Sequence, residues 1–117
     1  VADPSPAGGG RRVLVVEDTE VFRTFLLRAL ELLGCASAGV GDADEVLPAV
    51  HSFTPDLVLL DWNLAGGSSA AVLTELRRLG LKVIVITGDP GGVGDVDAPV
   101  LGKPVHLARL QEVIESA

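Results

Sequence analysis

Three short runs in this chain are apolar at every residue, and each stops at a polar one. Val13 to Val16 ends at Glu17-Asp18, Leu57 to Leu60 ends at Asp61, and Val83 to Ile86 ends at Thr87. A strand facing water on one side alternates apolar and polar residues; a continuous run is buried on both faces. Such strands belong to a parallel sheet covered by helices above and below.

The intervening segments supply the helices. Val21, Phe22, Phe25, Leu26, Ala29, Leu30 and Leu33 recur at spacings of three and four, and Gly34 closes the pattern. Phe22 and Phe25 are expected in the core. Ala36 to Val40 reads as a weak strand of small residues. Asp42 and Glu45 mark a helix start, and Pro48 predicts that this second helix is short or kinked. Val72, Leu73, Leu76 and Leu79 mark a third helix, stopped at Gly80. Val100-Leu101 is a stub of strand. Pro104 suits the first turn of a last helix that buries Leu107, Leu110 and Ile114. Strands alternating with helices in this way predict an α/β, doubly wound, flavodoxin-like fold. Its five parallel strands take the order 2-1-3-4-5, with a ligand crevice at the carboxyl ends of strands 1 and 3.

The chain of 117 residues makes one domain. Residues 1–10 carry two Pro and three Gly and read as a flexible linker or tail. With no Met in the sequence, the chain is expected to be processed or cut from something longer. Nine basic and sixteen acidic residues give a net charge of −7, which repels phosphate backbones and argues against nucleic-acid binding. Apolar runs as short as Leu57-Val58-Leu59-Leu60 leave no membrane segment in the chain. Cys35 is alone, which fits a reducing cytoplasmic setting. His51 and His106 lack metal-ligand spacing and read as surface residues.

The predicted sheet gathers Glu17, Asp18, Asp61, Thr87 and Lys103 at one end, although 86 positions separate the first from the last. Carboxylates this close repel unless positive charge lies between them. Lys103 supplies one charge, and a hard divalent cation such as Mg²⁺ supplies more. Asp18, Asp61 and a backbone carbonyl just after Asp61 would serve as ligands, with Glu17 reaching the metal through water. A carboxylate beside Mg²⁺ and an ammonium can also act as a nucleophile toward phosphorus. Thr87 would hydrogen-bond a phosphoryl oxygen, Lys103 would pair with another, and Gly88 would leave room for the group. Taken singly, these residues have plainer readings. Glu17-Asp18 could cap a turn, Thr87 could simply finish its strand, and Lys103 could be a surface lysine. It is the joint arrangement that points to chemistry.

These motifs resemble the receiver domain of two-component response regulators. The matching stretches are Val-Val-Glu-Asp at 15–18, Leu-Val-Leu-Leu-Asp at 57–61, Val-Ile-Thr-Gly at 85–88 and Gly-Lys-Pro at 102–104. The resemblance covers residues 11–117. It implies that Asp61 is the phosphoacceptor, charged by a histidine kinase, a histidine phosphotransfer protein or a small phosphodonor. It implies that Glu17, Asp18, Asp61 and the backbone of Asn63 hold Mg²⁺, and that Thr87 and Lys103 read the phosphoryl group. The domain would signal rather than turn over substrate as an enzyme, catalysing its own phosphorylation and dephosphorylation. Asn63 and Asp89, two residues beyond Asp61 and Thr87, would flank the route of the hydrolytic water. The segment could come from a hybrid kinase or be a stand-alone receiver.

Three departures from the family pattern stand out. Val100 replaces the usual aromatic three positions before the lysine. Leu64-Ala65-Gly66-Gly67-Ser68-Ser69 replaces the usual Met-Pro and following glycine. Nine of the twelve residues in 88–99 are Gly, Pro or Asp, so the family's fourth helix is expected to be missing or vestigial. Two alternatives accompany the main reading. One is an interaction module that signals without phosphorylation. The other is a haloacid-dehalogenase-type phosphatase, although that class wants a second Asp where Asn63 stands.

Overall fold

The computed structural model describes residues 10–64 and 68–117. The expected leader, apart from Gly10, and Ala65-Gly66-Gly67 lie outside the described residues.

Five parallel strands form one sheet in the order β2-β1-β3-β4-β5, as expected. They are β1 (Arg12–Val16), β2 (Ala36–Val40), β3 (Leu57–Asp61), β4 (Lys82–Thr87) and β5 (Val100–Gly102). The helices are α1 (Glu20–Leu32), α2 (Val46–Phe53), α3 (Ser69–Arg78) and α4 (Leu107–Ser116). Side chains alternate across the sheet. Val13, Val15, Leu57, Leu59, Ile84 and Ile86 meet Leu26 and Leu30 of α1 and Leu110 and Ile114 of α4. Leu14, Val16, Val58 and Leu60 meet Val46 of α2 and Leu73 and Leu76 of α3. Each fully buried Leu or Ile contributes about 1.5–3 kcal/mol of transfer free energy. The apolar strands thus have no face to spare for water.

The structure refines several local expectations. Asp42 does start a helical segment, but a 3-10 turn at Ala43–Glu45 comes first, with Asp42 Oδ1 accepting from the Asp44 N–H at 3.0 Å. Pro48 sits in the first turn of the short α2, where its missing donor costs nothing. Pro104 does not open α4. The Lys103–Pro104 peptide is cis, and α4 begins at Leu107 after an extended His106. The chain first seats Val105 in the core, which delays the helix. Phe25 is exposed rather than buried, as are Val21, Leu79 and Leu107. The buried stripe of α1 runs through Leu26, Ala29 and Leu30, so residues one position off it turn outward. Phe22 is partly buried and stacks with Phe25, their ring centroids 5.8 Å apart.

The crossover from β4 to β5 contains one 3-10 turn, Pro90–Gly92, and no α-helix. It is anchored all the same. Val93 is buried, and Val96 and Ala98 pack against the α2–α3 side of the sheet. Arg77 of α3 pairs with the Asp97 carboxylate at 2.8 Å and also donates to the Asp97 carbonyl. Pro90 packs on β5 so closely that a Cβ at Gly102 would lie 3.0 Å from its Cγ.

Candidate phosphoryl-transfer site

Because all five strands run in parallel, their carboxyl ends share one rim. β1 delivers Glu17 and Asp18, and its neighbour β3 delivers Asp61, one residue past the Val16–Leu60 pair. Carboxylate oxygens of Glu17, Asp18 and Asp61 lie within 4.8 Å of one another. Glu17 and Asp61 are buried and Asp18 less so. β5 returns Lys103, whose N–H bonds the Thr87 carbonyl at 2.8 Å. Its ammonium lies 3.1 Å from Glu17 Oε1 and 3.7 Å from Asp61 Oδ1. The same ammonium sits 4.6 Å from the centroid of the Phe22 ring.

Burial is the largest influence on Glu17 and raises its carboxyl above the ordinary 4.5. The Thr19 N–H pulls it down, Asp61 pushes it up, and Lys103 pulls it down. The Thr19 N–H donates to Glu17 Oε2 at 2.9 Å. Three carboxylates against one ammonium leave an excess of negative charge in a site of hard oxygen donors. That chemistry fits a small divalent cation. Asp61 Oδ1 accepts from the Asn63 N–H at 3.2 Å, which bends the chain just beyond β3.

Thr87 is buried, and its Oγ1 accepts from the Asp89 N–H at 3.0 Å. A Cβ at Gly88 would touch nothing, so this position borders open space next to the carboxylates' rim. Asp89 is exposed, and its carboxylate lies against Gly92, 2.5 Å from where a Cβ would stand. Asn63 is also exposed. Trp62 is partly buried and packs on the α2–α3 side. His51 and His106 are exposed, and Cys35 is buried.

Sequence reasoning missed two supports of the site. Arg23 Nη1 donates to the Glu17 carbonyl at 2.7 Å. To get there its side chain passes over the end of β2 and the residue after it, where a Cβ at Gly39 or Gly41 would come within 3.1 and 2.8 Å of it. A glycine in a weak strand and another just past its end, at alternate positions, were the available signal. The second support is Ser69, whose hydroxyl donates to the Asp61 carbonyl at 2.8 Å.

The family model for the response regulator receiver domain matches residues 13–115. The chain belongs to this family. It is 38% identical over 68 residues to the phosphate regulon transcriptional regulatory protein PhoB of Escherichia coli, covering 58% of this chain and 30% of that protein. The chain spans about a third of the length of the curated relatives it matches. A CheY-like receiver domain from Methylobacillus flagellatus superposes with a TM-score of 0.83 at 26% identity, covering 91% of this chain and 97% of that one. The receiver domain of a Pseudomonas aeruginosa sensor histidine kinase superposes with a TM-score of 0.79 at 24% identity, covering 92% and 96%. That structure holds a magnesium ion coordinated in its active-site cleft. This chain is therefore a receiver domain of two-component systems, and among its described residues no helix is long and apolar enough to cross a membrane.

Proposed function

We propose that this receiver domain accepts a phosphoryl group on Asp61 from the phosphohistidine of a histidine kinase or histidine phosphotransfer protein. The observation that carries this reading is the convergence of three carboxylates and the Lys103 ammonium at one rim of the sheet. Asp18, Asp61 and the Asn63 carbonyl would hold Mg²⁺, with Glu17 acting through water. Bound there, the ion neutralises charge on the phosphoryl oxygens.

An Asp61 carboxylate oxygen forms the new bond to phosphorus as the phosphorus–nitrogen bond of the donor breaks. Lys103, already drawn toward Asp61, pairs with a phosphoryl oxygen, and the Thr87 hydroxyl donates to another. Thr87 can donate while its Oγ1 still accepts from the Asp89 N–H, so the start of the crossover is tied to the site through the same hydroxyl. Water then cleaves the acyl phosphate within the domain, passing Asn63 and Asp89. On this reading the domain is a switch in the cytoplasm rather than a turnover enzyme, and its output passes to a protein partner.

Acetyl phosphate with Mg²⁺, followed by intact-mass measurement, tests the proposal. Wild type should gain one phosphoryl group, and Asp61→Asn should gain none. Equal labelling of Asp61→Asn would refute the assignment. Millimolar Mg²⁺ should also raise the melting temperature, by the equivalent of about 1–3 kcal/mol at tens to hundreds of times its dissociation constant. Asp18→Asn should lose that gain.

A further inference from the structure

Ser69 is the first residue of α3. Ser69 is buried. Its hydroxyl donates to the Asp61 carbonyl at 2.8 Å and accepts from the Leu64 N–H at 3.3 Å. The Asp61 carbonyl lies past the last residue pair between β1 and β3, at the end of the strand ladder. Leu64 is itself buried, which keeps its N–H from water. Orphaned buried backbone groups are rare because they are costly, and a hydroxyl, both donor and acceptor, satisfies two at once.

The neighbouring serine has a separate task. Ser68 Oγ accepts from the Ala71 N–H and caps α3, so the helix end does not depend on Ser69. Ser69 instead ties a rigid helix to both ends of the turn 61–64. Within that turn the Asn63 N–H bonds the Asp61 carboxylate. The Asn63 carbonyl lies between the two points that Ser69 holds.

We propose that Ser69 is a positioning residue for the metal and phosphoryl chemistry. Its hydroxyl fixes the turn 61–64 so that the Asp61 carboxylate and the Asn63 carbonyl face the cation together. This rests on the phosphoacceptor reading above and deepens it. Outer partners that orient metal ligands commonly change affinity about 10–100-fold when removed.

The test titrates MgCl₂ into the metal-free full chain, read by Trp62 fluorescence and by the melting temperature, for wild type, Ser69→Ala and Ser69→Thr. Acetyl phosphate labelling rates are measured in parallel. Ser69→Ala should bind Mg²⁺ about 10-fold more weakly and label correspondingly more slowly. Ser69→Thr, which keeps the hydroxyl, should recover most of both. A folded Ser69→Ala with wild-type Mg²⁺ affinity and labelling rate would overturn the role of Ser69 while leaving the phosphoacceptor reading intact. A wild-type chain that neither binds Mg²⁺ nor labels would overturn that reading and this proposal with it. Should Ser69→Ala not fold, hydrogen exchange of the wild-type Leu64 amide decides. Slow exchange supports the bond to Ser69, and exchange as fast as an exposed amide refutes it.

Discussion

The Lys103 ammonium stands 3.1 Å from Glu17 Oε1, across 86 positions of chain. Glu17 is 1% exposed and Lys103 30%, so the pair joins a buried carboxylate to a cation that still meets solvent. Removing the cation leaves Glu17 and Asp61 facing each other without it. Lys103→Met should therefore lower the stability of the metal-free protein by about 1–3 kcal/mol. Mg²⁺ should then raise the melting temperature of the variant more than that of wild type, since the ion replaces the missing positive charge. Thermal melts with EDTA and with Mg²⁺ check this; an equal metal-induced rise in both proteins would count against it.

The Glu17 carboxyl is raised above its ordinary 4.5, chiefly by burial. A carboxyl whose folded value is raised favours the folded state while protonated. Its stabilising contribution is full below 4.5, the unfolded value, and is lost as pH rises through the folded value. Glu17→Gln removes this loss. Without divalent cations, the variant's stability should thus decline less than that of wild type between pH 4.5 and neutrality. Urea denaturation in EDTA across that range measures it. Parallel curves for the two proteins would show that Glu17 does not contribute to the decline.

Dephosphorylation should depend on the exposed Asn63 and Asp89. Polar side chains there can orient an attacking water, whereas bulky apolar ones exclude it. The double variant Asn63→Leu, Asp89→Leu should lose its phosphoryl group several-fold more slowly than wild type. Decay followed by intact mass after removal of the phosphodonor is the measurement. An unchanged half-life would place the water's route elsewhere.

The crossover 88–99 should respond to activation by ordering rather than by moving a helix. Its start is tied to Thr87 through the Asp89 N–H, and its far end is anchored by Val93, Val96 and Ala98. The Arg77–Asp97 pair is largely exposed, with 43% and 94% of the side chains in solvent, and contributes at most about 1 kcal/mol. Apolar anchoring therefore outweighs the ion pair. Arg77→Ala should shift the melting temperature little, yet speed amide exchange in residues 94–98. Beryllofluoride with Mg²⁺ should slow exchange in residues 88–93. Strong protection of the whole crossover before activation would contradict the loop-ordering switch. With a loop-ordering switch, partner contact should move toward α1 and the loops around the site.

The strand cores, their order and the identities at their carboxyl ends were determined by the sequence. A continuous apolar run can be buried in few ways, and Val13–Val16, Leu57–Leu60 and Val83–Ile86 leave only a sheet covered on both faces. The lack of an α-helix in 88–99 was equally legible, because Gly and Pro oppose helix locally, whatever surrounds them. Tertiary structure decided the rest. Phe22 and Phe25 share one periodic pattern, and only the docking angle of α1 put Phe22 under the Lys103 ammonium and left Phe25 exposed. Pro104 was locally fit to start a helix, but seating Val105 in the core came first. Arg23 and Ser69 hold backbone carbonyls of Glu17 and Asp61. Sequence spacing cannot show such bonds, because backbone groups left over at strand ends carry no residue-type signal until the chain brings a side chain to them.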